Sequence, residues 1–472
     1  MLRYTRPLVY CLFALVALLT TAQQPQSSWT VKPEWVRAHE EFLASDVLQG
    51  RGSATRDEGI AAAYVGARFH AYGLQPAPGM KDYAKAIEVE KPELDGKALI
   101  SFAGISLQEG GDFYMPFSSG VSVSGPLQKI ALADVEKTKV TPGAIVLLTG
   151  AESTGPRVFG AAFPLGSKGA NSVMFADTPE IAKMFQERLG GKTRTTVRLK
   201  NSQAGAPLGG ANMSAIVLRA DALKQIEALK DGEQISLAVN PLPSPQMFTY
   251  NAMGWLPGSD PKSGTILLTA HLDHLGVGKP VNGDSIYNGA DDDAAGTTAV
   301  LELAHALAQG GKMKRNVLFV CFGSEEQGGI GADYFRNNPP VPLTEIAANL
   351  EFEMIGAQDP KMPKGVLLLT GWDRSNLGPT LAQHGAKLGA DPYPEQHFFE
   401  RSDNYALALK GVVAQTAAGW GTPPYYHQPS DDISHLDFDF MTAAIQSLIE
   451  PVRWLANSDF KPAWNPGGQP KQ

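Results

Sequence analysis

The segment 269–296 concentrates side chains that bind cations. Its sequence, TAHLDHLGVGKPVNGDSIYNGADDDAAG, places His271 and Asp273 at the end of an apolar run and three aspartates, 291–293, before a helical pattern. The apolar run, 265–270, is bounded by Pro, Gly and Ser, which predicts a buried strand. Ligands of open α/β sheets bind at the carboxyl ends of strands. The segment therefore predicts a metal site at a strand end.

Two acidic pairs and one histidine extend this pattern. Glu325 and Glu326 follow NVLFVCFG, Glu351 and Glu353 lie in NLEFEMIG, and His427 lies in YYHQPSD. Carboxylates at strand ends are costly unless they are paired or bound to cations, so their recurrence favours one shared site. Zinc accepts imidazole nitrogen and carboxylate oxygen. Two histidines with several carboxylates suit a pair of divalent ions that share one carboxylate and activate water.

Alternating strand and helix patterns after Pro241 predict the scaffold of this site. They predict strands at 264–270, 316–322, 347–355 and 411–417 and helices at 293–309, 377–389 and 438–456. This order predicts the α/β class, with a mainly parallel or mixed sheet sandwiched by helices. Residues 34–75 carry helical patterns around the loop LQGRGSATRDEG. From 112 to 240, short Val, Ile and Leu runs broken by Gly, Pro and Ser predict a separate, mostly β module.

The two ends of the chain differ from its body. Arg3 and Arg6 precede the apolar run 8–19 and the residues Thr-Thr-Ala, which predicts a signal peptide over 1–22 and an exported, periplasmic or extracellular protein. This run is shorter than the roughly 20 residues of a membrane span, so no stable membrane insertion is expected after cleavage. The Pro, Gly and Gln content of 461–472 predicts a disordered tail.

Charge and cysteine content restrict the partners and the covalent structure. The net charge is −8, and no basic cluster is visible, which excludes nucleic acid as a partner. Cys11 leaves with a cleaved signal peptide, so Cys321 remains alone and no intrachain disulfide is expected. Nothing in the sequence indicates an oligomeric state.

Five short motifs carry a resemblance to a known family. AHLDH, GADDDAAG, SEEQGG, FEMIG and YHQPSD resemble, in order and spacing, the two-zinc exopeptidases of metallopeptidase family 28. That family includes bacterial leucyl aminopeptidases, glutamate carboxypeptidase and the non-catalytic transferrin receptor. The opening HEEFLASDVLQGRGSAT resembles its first segment. The resemblance implies a zinc exopeptidase fold with a discontinuous catalytic domain over 30–111 and 241–460 and, over 112–240, an insertion that resembles a protease-associated domain.

The resemblance also implies a set of metal ligands. His271 and Glu353 bind one zinc, Asp292 bridges the two ions, and Glu326 and His427 hold the second zinc. Most members of the family have Asp where this chain has Glu353, which is longer by one methylene. The chain therefore departs from the family at this ligand, and the neighbouring Glu351 is an alternative ligand.

Other residues receive roles in the reaction by the same resemblance. Glu325 is the general base that takes a proton from the attacking water and returns it to the leaving amine. Asp273 orients the His271 imidazole, and Tyr426 donates a hydrogen bond to the developing oxyanion. Three residues of a polar loop resemble a substrate-facing segment of the family and are otherwise a solvated turn: Arg401, Ser402 and Asp403.

Several neighbouring residues have structural interpretations. His274 is interpreted as a cap of the strand end, and Asp291 and Asp293 as a helix N-cap and a hydrogen-bond acceptor beside the metal site. Cys321 is interpreted as a small core residue.

The sequence predicts an exported zinc exopeptidase with two zinc ions per chain. Its expected substrates are peptides from which it removes N-terminal residues, as an aminopeptidase does. Two alternatives stay open: a carboxypeptidase or dipeptidase on the same zinc core, with Arg401 as the cation that binds a free carboxylate, and a receptor-like relative without catalysis. Glutaminyl cyclisation, which uses one zinc, fits the full ligand set less well.

Overall fold

The main sheet contains the strands that the metal motifs predict. The computed structural model describes residues 29–150, 155–200 and 213–471, so the predicted signal peptide lies outside the described residues. The sheet has ten strands, and Gln75–Pro76 pairs with Met247–Leu256 beside the main path. In spatial order the other strands are Arg198–Leu199, Ala84–Glu90, Met247–Leu256, Asn316–Phe322, Thr265–His271, Ile346–Glu353, Ala414–Ala418, Leu367–Leu369 and Leu388–Ala390.

The four central strands of this sheet run parallel. Asn316–Phe322, Thr265–His271, Ile346–Glu353 and Ala414–Ala418 pair in this order, so their carboxyl ends meet at one edge. The strands are almost continuously apolar because both faces of the sheet are covered. Met247–Leu256 joins the central strands antiparallel, which makes the sheet mixed. The predicted α/β class is confirmed.

Helices cover both faces of the main sheet. The side chains of Thr265–His271 alternate, so that Ile266 and Leu268 pack into one core and Leu267 into the other. The helices at the first core are Pro33–Leu43, Arg56–Ala71, Gly296–Ala308, Leu377–Gln383 and Phe438–Asn457, and those at the second are Ile330–Asn337 and Asn404–Ala408. None of the helices in the described ranges combines the length and apolar character that crossing a bilayer requires.

Two predicted helices are shorter in the structure. The helix predicted over 377–389 spans Leu377–Gln383, because Gly385 adopts φ +101° and turns the chain. Leu388–Ala390 then forms an edge strand. The helix predicted from 293 begins at Gly296, since Asp292 and Asp293 have non-helical backbone angles.

The tail packs against the body of the protein, so the predicted disorder of 461–472 is wrong for the residues described here. The Trp464 indole donates a hydrogen bond to the Gly411 carbonyl (3.1 Å), and its ring lies 6.1 Å from that of Phe399. The Asn465 amide donates to the Arg374 carbonyl (2.8 Å). Pro and Gly content predicted disorder, but one large aromatic side chain is enough to anchor a short segment.

A second sheet of nine strands lies between two strands of the main sheet along the chain. It has cores of its own, which include Val146, Phe175 and Ile216. Its strands in spatial order are Arg194–Thr195, Phe113–Ser118, Ser214–Leu218, Ser172–Ala176, Ile145–Thr149, Val123–Ala131, Gln234–Ala238, Leu99–Phe102 and Ile105–Gln108. Its helices are Val158–Ser167, Pro179–Leu189 and Ala220–Glu227. The last two strands in this order precede residue 112, the predicted start of the insertion.

Two short strand pairs complete the described fold. Glu93–Leu94 pairs with Pro241–Leu242, where the chain leaves the main sheet and returns to it. Gly276–Val281 pairs with Asp284–Tyr287 as a hairpin between the metal motifs AHLDH and GADDDAAG.

Candidate metal centre

The parallel strands deliver their polar residues to one edge of the sheet. His271 is the last residue of Thr265–His271, and Glu353 is the last residue of the neighbouring Ile346–Glu353. Glu326 follows Asn316–Phe322 after a short turn. Because these strands are parallel neighbours, residues distant in sequence come together here.

A first group of ligand atoms comes from His271, Asp292 and Glu353. One such atom from each side chain lies within 4.8 Å of the others. The His271 Nε2 atom is 3.3 Å from Asp292 Oδ1. The His271 Nδ1 atom is 3.1 Å from the Asp273 carbonyl oxygen, which leaves Nε2 to face the aspartate. Three of the predicted ligands are therefore adjacent.

A second group shares Asp292 with the first. His427 Nε2 lies 3.2 Å from Asp292 Oδ2 and 3.3 Å from Glu326 Oε2. His274 Nδ1 lies 2.9 Å from Glu326 Oε1 and 3.8 Å from Asp292 Oδ2. The two oxygens of Asp292 thus face different groups, which is the position of a bridging carboxylate. The predicted role of His274 was a cap of the strand end, but its ring lies in this second group.

The side chains of this centre leave buried polar atoms without partners. His271 Nε2, both ring nitrogens of His274, and Glu326 Oε1 are buried without a hydrogen bond. Buried polar groups are costly unless they are satisfied. Imidazole and carboxylate donors that converge in this way fit divalent cations such as zinc.

The carboxylates and imidazoles of the two groups shift one another's pKa values. Burial favours a higher pKa for Asp292, but the neighbouring imidazoles of His271 and His427 outweigh it and hold the pKa well below its usual value. Burial alone lowers the pKa of His427, yet Asp292 and Glu326 raise it to about 10. The centre therefore attracts positive charge.

Glu325 stands apart from both groups of ligand atoms. Its side chain is partly exposed, and burial raises its pKa well above the usual value, while His271 opposes this. The backbone amides of Glu325 and Glu326 donate to the two oxygens of Asp273, at 2.9 and 3.3 Å. The Asp273 carboxylate therefore holds the turn that carries both glutamates, whereas the nearest contact of Asp273 with the His271 ring is its carbonyl oxygen.

The other aspartates of GADDDAAG act within the scaffold. Asp293 accepts hydrogen bonds from the amides of His271 (3.1 Å), Gly296 (3.0 Å) and Met354 (3.0 Å). Asp291 accepts from the Gly356 amide (2.7 Å). Both aspartates thus act as hydrogen-bond acceptors beside the metal centre, but the predicted helix N-cap is wrong, because Ala295 occupies that position.

Two residues that hold the metal loops were not assigned by the sequence analysis. The Asp431 carboxylate accepts hydrogen bonds from the amides of Asp291 (2.8 Å) and Asp292 (3.1 Å). The Arg51 guanidinium, 1% exposed, donates to four carbonyl oxygens, those of Leu43, Leu272, Asn288 and Gly289. Asp431 lies in the motif YHQPSD and Arg51 in the sequence GRG. The sequence therefore marked both residues, but it gave no indication of what they bind.

A small cavity adjoins the metal centre. It measures about 40 Å³, and Arg401, Ser402 and Tyr426 are among the residues that line it. The Tyr426 ring stacks on that of His427, with the centroids 3.8 Å apart. The Arg401 guanidinium lies 5.1 Å from the centroid of the Phe398 ring. Apolar side chains, Met354, Leu368 and Phe398, form another part of its lining.

Asp403 and Glu351 lie in the interior beside this cavity. Asp403 is 3% exposed, and neither of its carboxylate oxygens has a hydrogen-bond partner in the structure. Glu351 Oε2 accepts hydrogen bonds from the Asn404 amide (2.5 Å) and the Thr416 hydroxyl (3.2 Å). Glu351 therefore binds neighbouring protein groups, and neither group of ligand atoms includes it.

The fold places two candidate cation positions at the carboxyl edge of an α/β sheet. Residues 251–450 match Peptidase family M28. The predicted family is thereby confirmed.

Two curated relatives are similar over part of their length. Leupeptin-inactivating enzyme 1 of Streptomyces exfoliatus is 30% identical over 165 residues, 34% of this chain and 34% of that protein. Leucine aminopeptidase 1 of Trichoderma harzianum is 25% identical over 211 residues, 42% of this chain and 52% of that protein. The chain thus spans about a third to a half of the length of these relatives.

Two solved structures share the fold over most of the chain. An aminopeptidase from Aneurinibacillus sp. strain AM-1 has a TM-score of 0.50 at 18% identity and covers 94% of this chain and 98% of its own. BSAP, a zinc aminopeptidase from Bacillus subtilis, has a TM-score of 0.50 at 17% identity and covers 91% and 96%. At these identities the likeness is one of fold.

Proposed function

We propose that this protein is an exported aminopeptidase that binds two zinc ions and removes N-terminal residues from peptides. The observation that carries the proposal is the shared carboxylate: Asp292 faces His271 with one oxygen and His427 with the other, while Glu325 belongs to neither ligand group. Membership in a peptidase family and the aminopeptidase names of the relatives support the same reaction class.

The proposed ligands divide between two zinc positions. His271 and Glu353 hold the first ion, Glu326 and His427 hold the second, and Asp292 serves both. When bound, the ions supply Lewis acidity toward the substrate carbonyl and lower the pKa of the attacking water.

The protein's own groups then handle the proton and the developing charge. Glu325 accepts a proton from the attacking water and delivers it to the leaving amine, a role that needs a carboxylate near the metals but not bound to them. Asp273 fixes the turn that carries Glu325 and Glu326. Tyr426, beside His427 on the cavity wall, is the proposed donor to the oxyanion.

The cavity beside the centre is the proposed site for the substrate's first side chain. Its apolar part accepts an uncharged side chain, and Ser402 lies on its polar side. The Asp403 carboxyl, buried beside this site without a hydrogen-bond partner, is the proposed acceptor for the free ammonium group of the substrate. An aminoacyl-arylamide and an N-acylated dipeptide distinguish this substrate from one with a free carboxylate: preferential cleavage of the second would identify a carboxypeptidase or dipeptidase.

Export and the inserted domain are further parts of the proposal. The sequence pattern of 1–22 supports export, and the separate cores of the nine-stranded sheet support an inserted module of the protease-associated type. Determining the N-terminus of the mature protein after expression in a secreting host tests the signal peptide.

Replacement of the general base tests the proposed mechanism. We expect Glu325→Gln to lower kcat by about 10²- to 10⁴-fold, the usual contribution of general acid–base catalysis, while zinc content stays at two per chain. The measurements are turnover of an aminoacyl-arylamide and elemental analysis of the same samples. Unchanged turnover would remove Glu325 from the mechanism. Glu345→Gln, at an exposed position, is the control.

A further inference from the structure

The second ligand group contains one more imidazole than the first. His274 lies three residues after His271, and its side chain is fully buried. Neither of its ring nitrogens forms a well-aligned hydrogen bond, although Nδ1 lies 2.9 Å from Glu326 Oε1. An imidazole without such a bond in the interior is costly, so its position beside two carboxylates calls for an explanation.

The distances around His274 match those between ligands of one zinc ion. Zinc bonds of about 2.0–2.1 Å to nitrogen and oxygen set the corners of a tetrahedron roughly 3.3–3.4 Å apart. His427 Nε2 lies 3.2 and 3.3 Å from the oxygens of Asp292 and Glu326, and His274 Nδ1 lies 3.8 and 2.9 Å from the oxygens of the same two residues. His274 Nδ1 thus stands where a fourth protein ligand would stand.

The backbone fixes the His274 ring in this position. The His274 amide donates to the Arg51 carbonyl (3.2 Å), and His274 forms an isolated parallel bridge with Gly52. Gly289 has φ +61°, and a Cβ atom there would lie 2.4 Å from His274 Cγ. The imidazole is therefore packed against bare backbone, and it has little freedom to turn away from Asp292 and Glu326.

We propose that His274 is a ligand of the second zinc ion, together with Asp292, Glu326 and His427. The inference rests on the proposed function and deepens it. The two metal positions then differ: the second has two imidazoles, whereas the first has only His271. An ion with more protein ligands is held more tightly. We therefore expect zinc to fill the second position first and to leave it last.

The test is a crystal structure of the zinc-loaded wild-type protein with anomalous data at the zinc edge. We expect His274 Nδ1 at about 2.0–2.1 Å from the zinc that His427 also binds. A separation above 3 Å from both ions would overturn the inference, because His274 would then only orient Glu326. The distance between zinc and His274 Nδ1 separates the two roles. Zinc affinity alone does not, because it falls on loss of a ligand and also on loss of a residue that only orients a ligand.

Chelator competition on variants provides the second measurement. We expect His274→Ala and His274→Gln to bind the tighter zinc at least tenfold more weakly and to leave the affinity of the other position near that of the wild type. His384→Ala removes an imidazole that stacks on Trp454 and should match the wild type. Wild-type affinities at both positions in the His274 variants would contradict the inference.

The outcomes separate this inference from the proposed function. Two zinc ions with His274 bound to one of them, but no peptide hydrolysis, would sustain the inference and refute the aminopeptidase. Hydrolysis with His274 distant from both ions would do the reverse. Wild-type protein that binds no zinc at this centre would refute both.

Discussion

At the scale of single residues, Glu353 is where the chain departs from the family that it resembles. The glutamate still belongs to the first ligand group, with His271 and Asp292. It lies at the last position of its strand, and from there its side chain reaches the ligand atoms of the other two residues. Glu351, the alternative ligand, is instead held by Asn404 and Thr416.

Shortening this ligand tests whether its length matters. We expect Glu353→Asp to withdraw the carboxylate by about 1.5 Å, one carbon–carbon bond, which exceeds the roughly 0.2 Å tolerance of metal sites. The variant should lose affinity for the first zinc about tenfold or more. Chelator competition with zinc measures this, and Glu345→Asp at an exposed position is the control. Equal affinities would show that the aspartate typical of the family fits equally well.

Most of the proposed ligands could be predicted from the sequence, because their types and spacing are local. His271 ends an apolar run, and Glu326 and Glu353 follow others, so strand ends could be read directly. The direction of the His274 ring could not be read, because it depends on the αL backbone of Gly289 and on the Arg51 carbonyl. Arg51 is distant from His274 in sequence. Gly289 acts through its backbone conformation, which residue type alone does not reveal.

At the scale of elements, Arg51 joins three segments. Its guanidinium donates to Leu43 at the end of the first helix, to Leu272 after the His271 strand, and to Asn288 and Gly289 before the aspartates. All four acceptors are backbone carbonyl oxygens, which any residue would provide. The Arg51 side chain is therefore the specific group that sets the relative position of the two metal loops. The motif GRG marked the residue, but its acceptors lie in loops that only the fold brings together.

Arg51→Lys tests this arrangement while it keeps the positive charge. A lysine ammonium cannot reproduce the planar fork of a guanidinium. Each hydrogen bond of a charged group contributes about 1.5–3 kcal/mol, so we expect the free energy of unfolding to fall by about 2–4 kcal/mol. Urea denaturation measures it. Arg56→Lys, whose side chain is 86% exposed, should change it by less than about 0.5 kcal/mol. Equal losses would contradict the role of Arg51.

Helix ends were harder to predict than strands. The helix predicted over 377–389 ends at Gln383, because the left-handed Gly385 stops a pattern whose apolar spacing continues. The leucine at 388 serves an edge strand instead of the helix. Apolar residues in that stretch fit both periods, and only the partner strand Leu367–Leu369 decides between them.

At the scale of the whole molecule, the interior near the metal centre contains a buried carboxyl group without a hydrogen-bond partner. Glu40, on the first helix, is fully buried, and neither of its carboxylate oxygens has a hydrogen-bond partner in the structure. Burial raises the pKa of Glu40 to about 8, although Arg51 opposes the shift. In the unfolded chain, the pKa of Glu40 is about 4.3, the value of an unperturbed glutamate.

This difference predicts how stability depends on pH. Between pH 4.3 and 8 the unfolded state binds fewer protons at Glu40 than the folded state does, so this residue's contribution to the free energy of unfolding falls as pH rises. Glu40→Gln removes the titration. We expect the variant's stability relative to the wild type to increase from pH 5 to pH 8, by an amount on the order of 3 kcal/mol. Urea denaturation of zinc-saturated samples measures it.

A matched variant completes this experiment. Glu41→Gln changes the adjacent residue of the same helix, where the side chain is 54% exposed. It should show no comparable increase between the two pH values. If Glu40→Gln also shows a constant difference from the wild type, the Glu40 carboxyl is ionised in the folded protein.

The position of the nine-stranded sheet along the chain has a consequence for synthesis on the ribosome. Strand Ala84–Glu90 emerges early, but its partner Met247–Leu256 appears only after the second sheet has been translated. Because that sheet has its own cores, it can fold before Met247–Leu256 is available to pair with Ala84–Glu90. The proposed ligands, which begin at His271, all follow. The nascent chain can therefore bind metal only late in synthesis, after the second sheet has been translated and Met247–Leu256 has paired with Ala84–Glu90.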